Sequence, residues 1–242
     1  MIDLTVLGID TSGKTASCAV LKDGVILGET TVYTKLTHSQ VILPFVKRLL
    51  EDTELTVDDI DVVAVANGPG SYTGLRIGIA LVKGMCFGGK KCLGVSTLEA
   101  LAQNCVGVKA SIFSVMSARP GIVYFGAYQS DGEKLTRLAK DTVCEVDKIL
   151  KTAESIEGDI VLVGDCAEKL KNELFSADER VRLAPCHERL QRASGVCEAA
   201  ACHLNEAAGA KELWAQYLQI TKAEKDLIDG HSPVYSGADV KK

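Results

Sequence analysis

The sequence predicts an α/β protein made of two lobes with related topology. A strand, a tight turn and a second strand occur in residues 4–33 and again in residues 110–128, roughly a hundred residues apart. A helical pattern and a short buried strand follow each pair, the strands at residues 62–66 and 160–163. We therefore expect an N-terminal lobe over residues 1–105 and a more divergent second lobe over residues 106–242. The second lobe should end in a tail, and a helix near the C-terminus should pack back on the first lobe.

The first strand pair contains GIDTSGKT, Gly8 to Thr15, which fits the phosphate-loop pattern G-x-x-x-x-G-K-[ST] letter for letter. That pattern binds phosphate only where a helix follows the glycine loop. Here two runs of small and β-branched residues follow, separated by Asp23-Gly24, which is a hairpin signal. We therefore predict a strand–turn–strand, in which Asp10 and the amides of the turn could approach a ligand.

Two helices are predicted in the first lobe. The first lies within residues 37–50 and is capped by Thr37 or Ser39. Pro44 is acceptable only near a first turn, so this helix should begin close to Pro44 or carry a kink. The second follows the turn of NGPGSYTGLRIGIALVKG, residues 67–84, with Ser71 or Thr73 as its cap.

The second helix carries Gly74 and Gly78 on one face, four residues apart. Glycine in a helix costs roughly 1 kcal/mol unless a neighbour packs closely against it. That neighbour could be a sheet or helix of the same chain, or a helix of a second subunit. Because apolar residues spread around this helix, we favour an interface between chains. The amides at its start could alternatively meet an anion.

The composition of the chain argues against several classes of function. The net charge of −5 is unlike that of a protein that holds nucleic acid unaided, so RNA should be reached through a partner. We expect a cytoplasmic protein without a membrane span, because we find no signal peptide and no apolar run approaching 18 residues. The nine scattered cysteines should be reduced thiols. Cys186-His187, Cys197 and Cys202-His203 lack the short paired spacing of structural zinc sites, so no metal is expected.

The N-terminal segment MIDLTVLGIDTSGKTASCAVLKDG and the stretch NGPGSYTGLRIGIALVKGMCFGGKKCLGVSTLEALA resemble the TsaB family, bacterial tRNA threonylcarbamoyladenosine biosynthesis proteins of the actin-like superfamily. The resemblance is close over residues 1–105. Later landmarks are VYFGAY, Gly164-Asp165 and the tail PVYSGADVKK. Where the family's second lobe usually begins Asp-Ala-Arg, this chain has Ser117-Ala118-Arg119.

The resemblance implies a non-catalytic subunit without a cofactor that supports its paralogue TsaD, acting with the ATPase TsaE. TsaD transfers threonylcarbamoyl to N6 of the tRNA adenosine beside the anticodon. Its metal-binding His-x-x-x-His corresponds to Thr97 and Leu101 here. The resemblance also implies a homodimer in isolation, a heterodimer with TsaD, and tRNA contact only through the complex. The implied interface uses both helices, and its candidate residues are Leu43, Lys47, Gly74, Arg76, Gly78 and Val82.

Other functions stay open. Actin-like hairpins hold phosphates in active relatives, so Asp10, Ser12 and Thr15 are candidate nucleotide ligands. The alternative to a supporting subunit is an independent enzyme, a glycoprotease-like peptidase or small kinase. Its candidate nucleophiles are Ser71, Ser96 and Cys86, but no histidine stands in a recognisable relation to them, and H-E-x-x-H is absent. A direct RNA-binding module is disfavoured by the acidic charge and by the lack of interleaved basic and aromatic residues.

Overall fold

The structure, a computed structural model, describes residues 4–219. The predicted tail, residues 231–242, and His231 lie outside the described residues. No helix within the described range is long and apolar enough to span a membrane.

The first sheet contains five strands in the order β3-β2-β1-β4-β5. The strand β1 pairs antiparallel with β2 and parallel with β4. The elements of this half are β1 (Thr5–Asp10), β2 (Thr15–Lys22), β3 (Val25–Tyr33), α1 (His38–Asp52), β4 (Val62–Gly68), α2 (Tyr72–Met85), β5 (Lys91–Ser96) and α3 (Thr97–Gln103), with a 3-10 turn at Val57–Asp59.

The second sheet contains six strands and repeats this arrangement. Its order is β11-β10-β6-β7-β8, and β9 also pairs with β7. The strand β6 pairs antiparallel with β7 and parallel with β10, as β1 does with β2 and β4. The elements are β6 (Lys109–Arg119), β7 (Ile122–Asp131), β8 (Leu135–Arg137), β9 (Thr142–Glu145), α4 (Val146–Glu154), β10 (Ile160–Val163), α5 (Ala167–Leu174), β11 (Val181–Leu183) and α6 (Ala193–Cys202), with a 3-10 turn at Leu204–Glu206. This duplicated topology is the actin-like two-lobed fold.

The predicted hairpin at Asp23-Gly24 is confirmed. The chain turns between β2 and β3 at Asp23 and Gly24, which adopt φ of 51° and 81°. Both angles lie in the left-handed region that a tight two-residue hairpin turn requires. Because β2 and not a helix follows Thr15, GIDTSGKT is not a phosphate loop of the P-loop type.

The helix caps follow the sequence closely. Thr37 caps α1 in a box with Gln40, and the Ser71 hydroxyl accepts a bond from the amide of Gly74 at the start of α2. The alternative in which α1 begins close to Pro44 is wrong, because α1 begins at His38 and Pro44 lies inside it. The other alternative, a kink at Pro44, stays a prediction. Pro44 is exposed there, so the carbonyl that it leaves without an amide partner faces the solvent side of the helix.

The helix α6 packs against the first sheet although it follows the second sheet in the chain. Its small residues, including Ala193, Val196, Ala199 and Ala200, join a buried cluster with β1, β2, β4 and β5. The Cys197 thiol lies 3.7 Å from the carbonyl oxygen of Val6. We call the first sheet with α1, α2 and α6 lobe one, and the second sheet with α4 and α5 lobe two. The division near residue 105 as a boundary between independent units stays a prediction.

Candidate functional site

A cleft of about 1040 Å³ lies between the two lobes. Lobe one contributes the turn 12–14 between β1 and β2 and the start of α2 at residues 69–72. Lobe two contributes residues 116–119 at the end of β6 and Asp165 after β10. Each of these segments follows the carboxyl end of a buried strand or lies in its hairpin, which is where α/β sheets place ligand sites.

One ion pair crosses this cleft. The Lys14 ammonium of lobe one lies 4.0 Å from the Asp165 carboxylate of lobe two. Asp165 also accepts a bond of 2.8 Å from the amide of Ser117. The Asp165 carboxylate therefore contacts a backbone donor of its own lobe and a cation of the other lobe. The sequence analysis considered GIDTSGKT, Ser117 and Asp165 separately, and only the fold brings Lys14 of that motif together with the other two.

Asp10 is completely buried at the end of β1. One of its oxygens accepts bonds from the amide and the hydroxyl of Ser12, at 2.8 and 2.6 Å. Its other oxygen has no partner within the described residues. Burial raises the pKa of Asp10 to about 6, although the Ser12 bonds oppose the shift. The Asp10 carboxyl group therefore fixes the conformation of the turn between β1 and β2 through its bonds to Ser12.

The other two predicted nucleotide ligands, Ser12 and Thr15, differ in their position relative to the cleft. Ser12 lines the cleft, but its amide and hydroxyl are already bonded to Asp10. Thr15 is buried and donates its hydroxyl to the carbonyl of Gln191, 2.7 Å away. Of the three residues, only Ser12 is among those that line the described cleft. Nucleotide binding by this turn stays a prediction from the sequence alone, and the bonds that Ser12 and Thr15 already make count against it.

The glycine face of α2 packs inside the chain, which corrects the expectation that it meets a second subunit. A Cβ atom on Gly74 would lie 2.1 Å from the Thr11 carbonyl oxygen, and one on Gly78 would lie 2.5 Å from the Thr11 hydroxyl. The Thr11 hydroxyl donates to the Gly74 carbonyl at 2.7 Å. Val82 is also fully buried. These three positions are covered by lobe one itself, so a partner cannot contact them directly.

The remaining interface candidates are on the surface. Leu43 of α1 is 56% exposed, and the exposed Lys47 pairs with Glu51 at 3.9 Å on the same helix. The Arg76 guanidinium of α2 lies 4.0 Å from the ring centre of Tyr72, and its Nε donates to the Tyr217 hydroxyl at 3.2 Å. An interface through α1 and α2 stays a prediction carried by these exposed residues.

A second cavity of about 340 Å³ borders α3 and was not foreseen from the sequence. Glu99 of α3 bonds the Arg137 guanidinium and the His203 ring, both at 2.6 Å. Asp141 accepts a bond of 2.7 Å from the Tyr128 hydroxyl, and burial with this neighbouring carboxylate raises the pKa of Tyr128. Glu99 thus meets residues 38 and 104 positions away, and no local sequence pattern predicts these contacts.

The helix α3 also carries Thr97 and Leu101, which the resemblance aligns with the metal-binding histidine pair of TsaD. Thr97 and Leu101 are both buried, and Leu101 belongs to an apolar cluster between α3 and lobe two. Within the described residues, no three histidine, cysteine, aspartate or glutamate side chains are placed to hold a metal ion. His203, from the cysteine–histidine group considered above, pairs with Glu99 and Glu206 instead.

Comparison with known proteins identifies the family. The family model described as "TsaD: tRNA N6-adenosine threonylcarbamoyltransferase" matches residues 32–218. The TsaB proteins of Bacillus subtilis, Buchnera aphidicola and Escherichia coli are 37%, 34% and 30% identical to this chain. These matches cover 57%, 69% and 66% of this chain, and 61%, 81% and 71% of the relatives' lengths.

Solved structures agree with this assignment. The structure titled YeaZ from Pseudomonas aeruginosa superimposes with a TM-score of 0.73 at 26% identity, covering 89% of this chain and all of that chain. A second P. aeruginosa structure, titled as similar to peptidase YEAZ, has a TM-score of 0.75 and the same coverage. The chain therefore belongs to the TsaD family described by this model and, within it, to the TsaB proteins of tRNA threonylcarbamoyladenosine biosynthesis.

Proposed function

We propose that this protein is a non-catalytic subunit that supports a TsaD-type transferase in modifying the tRNA adenosine beside the anticodon, in the cytoplasm. The observation that carries the proposal is the composition of α3. By the resemblance, the transferase's metal-binding histidines fall at about Thr97 and Leu101, and both of these side chains are buried in the chain's own core. Neither side chain can serve as imidazole does in a catalytic metal site.

The candidate nucleophiles of an independent enzyme are all engaged in structural contacts. Ser71 caps α2, and the Ser96 hydroxyl caps α3 while it donates to Asp141. Cys86 is 1% exposed, and burial raises the pKa of its thiol to about 12. A thiol with that pKa is almost entirely protonated at neutral pH and is a poor nucleophile. The subunit role is therefore favoured over a free-standing hydrolase.

The surface of α1 and α2 is the proposed contact for TsaD. Leu43 presents an exposed apolar side chain in the middle of α1, and Lys47 follows one turn later on the same face. An exposed leucine next to a charged residue suits a helix-on-helix interface with an apolar centre and a polar rim. In the absence of TsaD, the same surface would join two copies of this chain, because a two-fold interface uses one patch twice.

Reconstitution tests the subunit role. TsaD and TsaE from the same organism, tRNA and the threonylcarbamoyl donor are incubated with and without this protein, and modified adenosine is counted by mass spectrometry. We expect modification that depends on this protein, and none from this protein alone. Equal modification in both incubations would refute the proposal and return attention to an independent activity.

A matched pair of variants tests the surface. Leu43→Glu places a charge at the proposed interface, where an unpaired buried charge costs several kcal/mol, so association should weaken at least tenfold. Val25→Glu is the control, because Val25 is equally exposed, at 59%, but lies on β3. Association is measured by light scattering for the homodimer and by calorimetry with TsaD. Equal loss in both variants, or in neither, would exclude this surface.

A further inference from the structure

Helix α3 lies between the two lobes and packs against both of them. On one side, Ala100 belongs to the buried cluster of lobe one, and a Cβ atom on Gly195 of α6 would lie 2.2 Å from its carbonyl oxygen. On the other side, Leu98 and Leu101 belong to a buried cluster with residues of β6, β7 and β10 in lobe two. Because packed interiors do not deform continuously, a movement of one lobe relative to the other must break the contacts of α3 with one of them.

Glu99 adds a network of charges to this packing. Its carboxylate lies 2.6 Å from both the Arg137 guanidinium of β8 and the His203 ring, which follows α6. Ser96, at the start of α3, donates its hydroxyl to Asp141, the residue just before β9. The side chains of Glu99 and Asp141 are only 12% and 10% exposed, so little water competes for these bonds. We call these five residues the inter-lobe clamp.

The clamp lies where two cavities meet. Arg137 and Asp141 line the cavity of about 340 Å³, and Cys144 of β9 lines the cleft of about 1040 Å³. The two cavities share Pro69 and Leu218 in their walls. The edge of lobe two that carries β8 and β9 therefore forms a wall of both cavities. Separation of this edge from α3 would join the cavities and widen the cleft.

The chain passes between the lobes twice, at residues 104–108 and 184–192. The Asn104 side chain joins the two crossings, because it donates to two carbonyls of the second crossing at 3.0 and 3.1 Å. Rotation about these joined crossings is the movement that would open the cleft. The Lys14–Asp165 pair opposes this rotation only weakly, since the Lys14 side chain is 56% exposed. The clamp is the better shielded restraint.

We propose that the inter-lobe clamp holds the cleft at a fixed width, with Glu99 as its central positioning residue. The protein then presents its two lobes to a partner as one rigid body. It does not open and close on a ligand in the way that hinged two-lobed proteins do. The proposal concerns the isolated chain, so it does not depend on the subunit role.

The native cysteines report opening of the cleft. Cys144 lines the cleft and is partly buried, Cys186 is exposed, and Cys197 is fully buried between α6 and the first sheet. The full-length protein is given short pulses of N-ethylmaleimide, and labelling of each cysteine is counted by peptide mass spectrometry. The labelling rate of Cys144 relative to Cys186 measures opening of the cleft, and the rate of Cys197 measures unfolding of lobe one.

Glu99→Ala removes the acceptor that Arg137 and His203 share. We expect the labelling of Cys144 to become at least about tenfold faster, because one hydrogen bond to a charged group is worth that factor. The labelling of Cys197 should stay slow. Arg137→Ala breaks the same contact from lobe two and should also speed the labelling of Cys144. The double variant should label hardly faster than Glu99→Ala, since that substitution already removes the shared bond.

Glu168→Ala is the matched control. Glu168 also bonds an arginine, Arg189, at 3.1 Å, but it lies on α5, away from the clamp. This variant loses the same kind of side chain and the same kind of ion pair. Its labelling of Cys144 should equal that of the wild type.

Several results would overturn the proposal. One is unchanged labelling of Cys144 in Glu99→Ala, and another is an equal rise in Glu168→Ala. Equal rises at Cys144 and Cys197 would mean that Glu99 contributes only to the stability of the fold. Wild-type labelling of Cys144 as fast as that of Cys186 would mean that the clamp does not hold the cleft. The experiment contains no partner subunit, so its failure is distinguishable from failure of the reconstitution.

Discussion

Replacing Gly78 by alanine should destabilise the monomer, because the glycine face of α2 is packed against its own chain. The added Cβ would lie 2.5 Å from the Thr11 hydroxyl oxygen and 3.1 Å from a methyl carbon of Val65. Thr11 is fully buried and its hydroxyl donates to the Gly74 carbonyl, so it can move only by giving up that bond. Helix α2 or the turn after β1 must otherwise shift.

The expected size follows from opposing contributions. Overpacking costs about 1–3 kcal/mol and the lost hydrogen bond costs about 1 kcal/mol. Alanine regains about 1 kcal/mol of helix propensity over glycine. The free energy of unfolding should therefore fall by about 1–3 kcal/mol, which lowers Tm by roughly 5 °C for a chain of this size. Gly84→Ala is the control in the same helix, since its Cβ would meet nothing within 4 Å, and it should gain up to about 1 kcal/mol.

Thermal unfolding followed by circular dichroism, at one protein concentration, measures both variants. In a Thr11→Ala background, the Gly78 methyl occupies the space that the hydroxyl leaves, so the two substitutions should couple by about 1 kcal/mol or more. The reasoning is refuted if Gly78→Ala is as stable as Gly84→Ala. Retained stability together with lost association would restore the interface between chains that the sequence favoured.

Three other predictions concern buried charge and the cleft. The pKa of Asp10 is raised from 3.8 to about 6, so folding favours its protonated form, and this group should lower the free energy of unfolding by up to about 3 kcal/mol as pH rises from 4 to beyond 6. Urea unfolding of Asp10→Asn should lack this decline, and a decline equal to that of the wild type would contradict the assignment. Burial alone would raise the pKa of Glu29, but Arg192 and the amide and hydroxyl of Ser194 outweigh it and hold that pKa below 4.5. The stability from Glu29 should therefore be present above pH 4.5 and lost as pH falls through its folded pKa, and Glu29→Ala should cost about 2 kcal/mol at pH 7; an unchanged urea midpoint at pH 7 would count against it. Calorimetric titration of the isolated protein with magnesium and ATP should give no heat, because the donors of Ser12 and Thr15 are already used; heat that disappears in Ser12→Ala would instead support nucleotide binding at this turn.

Local structure was predictable where the signal is local. The left-handed turn at Asp23-Gly24 and the caps at Thr37 and Ser71 each depend on residues within four positions of one another. The repeated strand pairs were visible for the same reason, because each pair is joined by its own turn. The start of α1 was misplaced by the alternative that put it close to Pro44, because the cap at Thr37 and the apolar spacing set the start at His38 despite the proline.

The site was less predictable because its contacts join distant residues. Gly74 and Gly78 predicted that another part of the protein packs closely against α2, but a glycine does not identify its neighbour. In the structure that neighbour is Thr11. Trp214 and Tyr217 reach α2 from more than 130 positions away, and Glu29 meets Arg192 across 163 positions. Hydrophobic periodicity predicts which face of a helix or strand is buried, but it does not predict which residues pack against that face.

The position of α6 has a consequence for synthesis on the ribosome. Val6 and Ala64 share a buried cluster with Val196 and Ala200, and the Ser17 hydroxyl accepts the amide of Ala193. One face of the first sheet therefore stays uncovered until residues 193–202 have been translated, after the strands of the second sheet have emerged. Lobe one is therefore the first lobe to be synthesised but is completed only after the strands of lobe two. A nascent chain released before that point would expose apolar strands to chaperones and proteases.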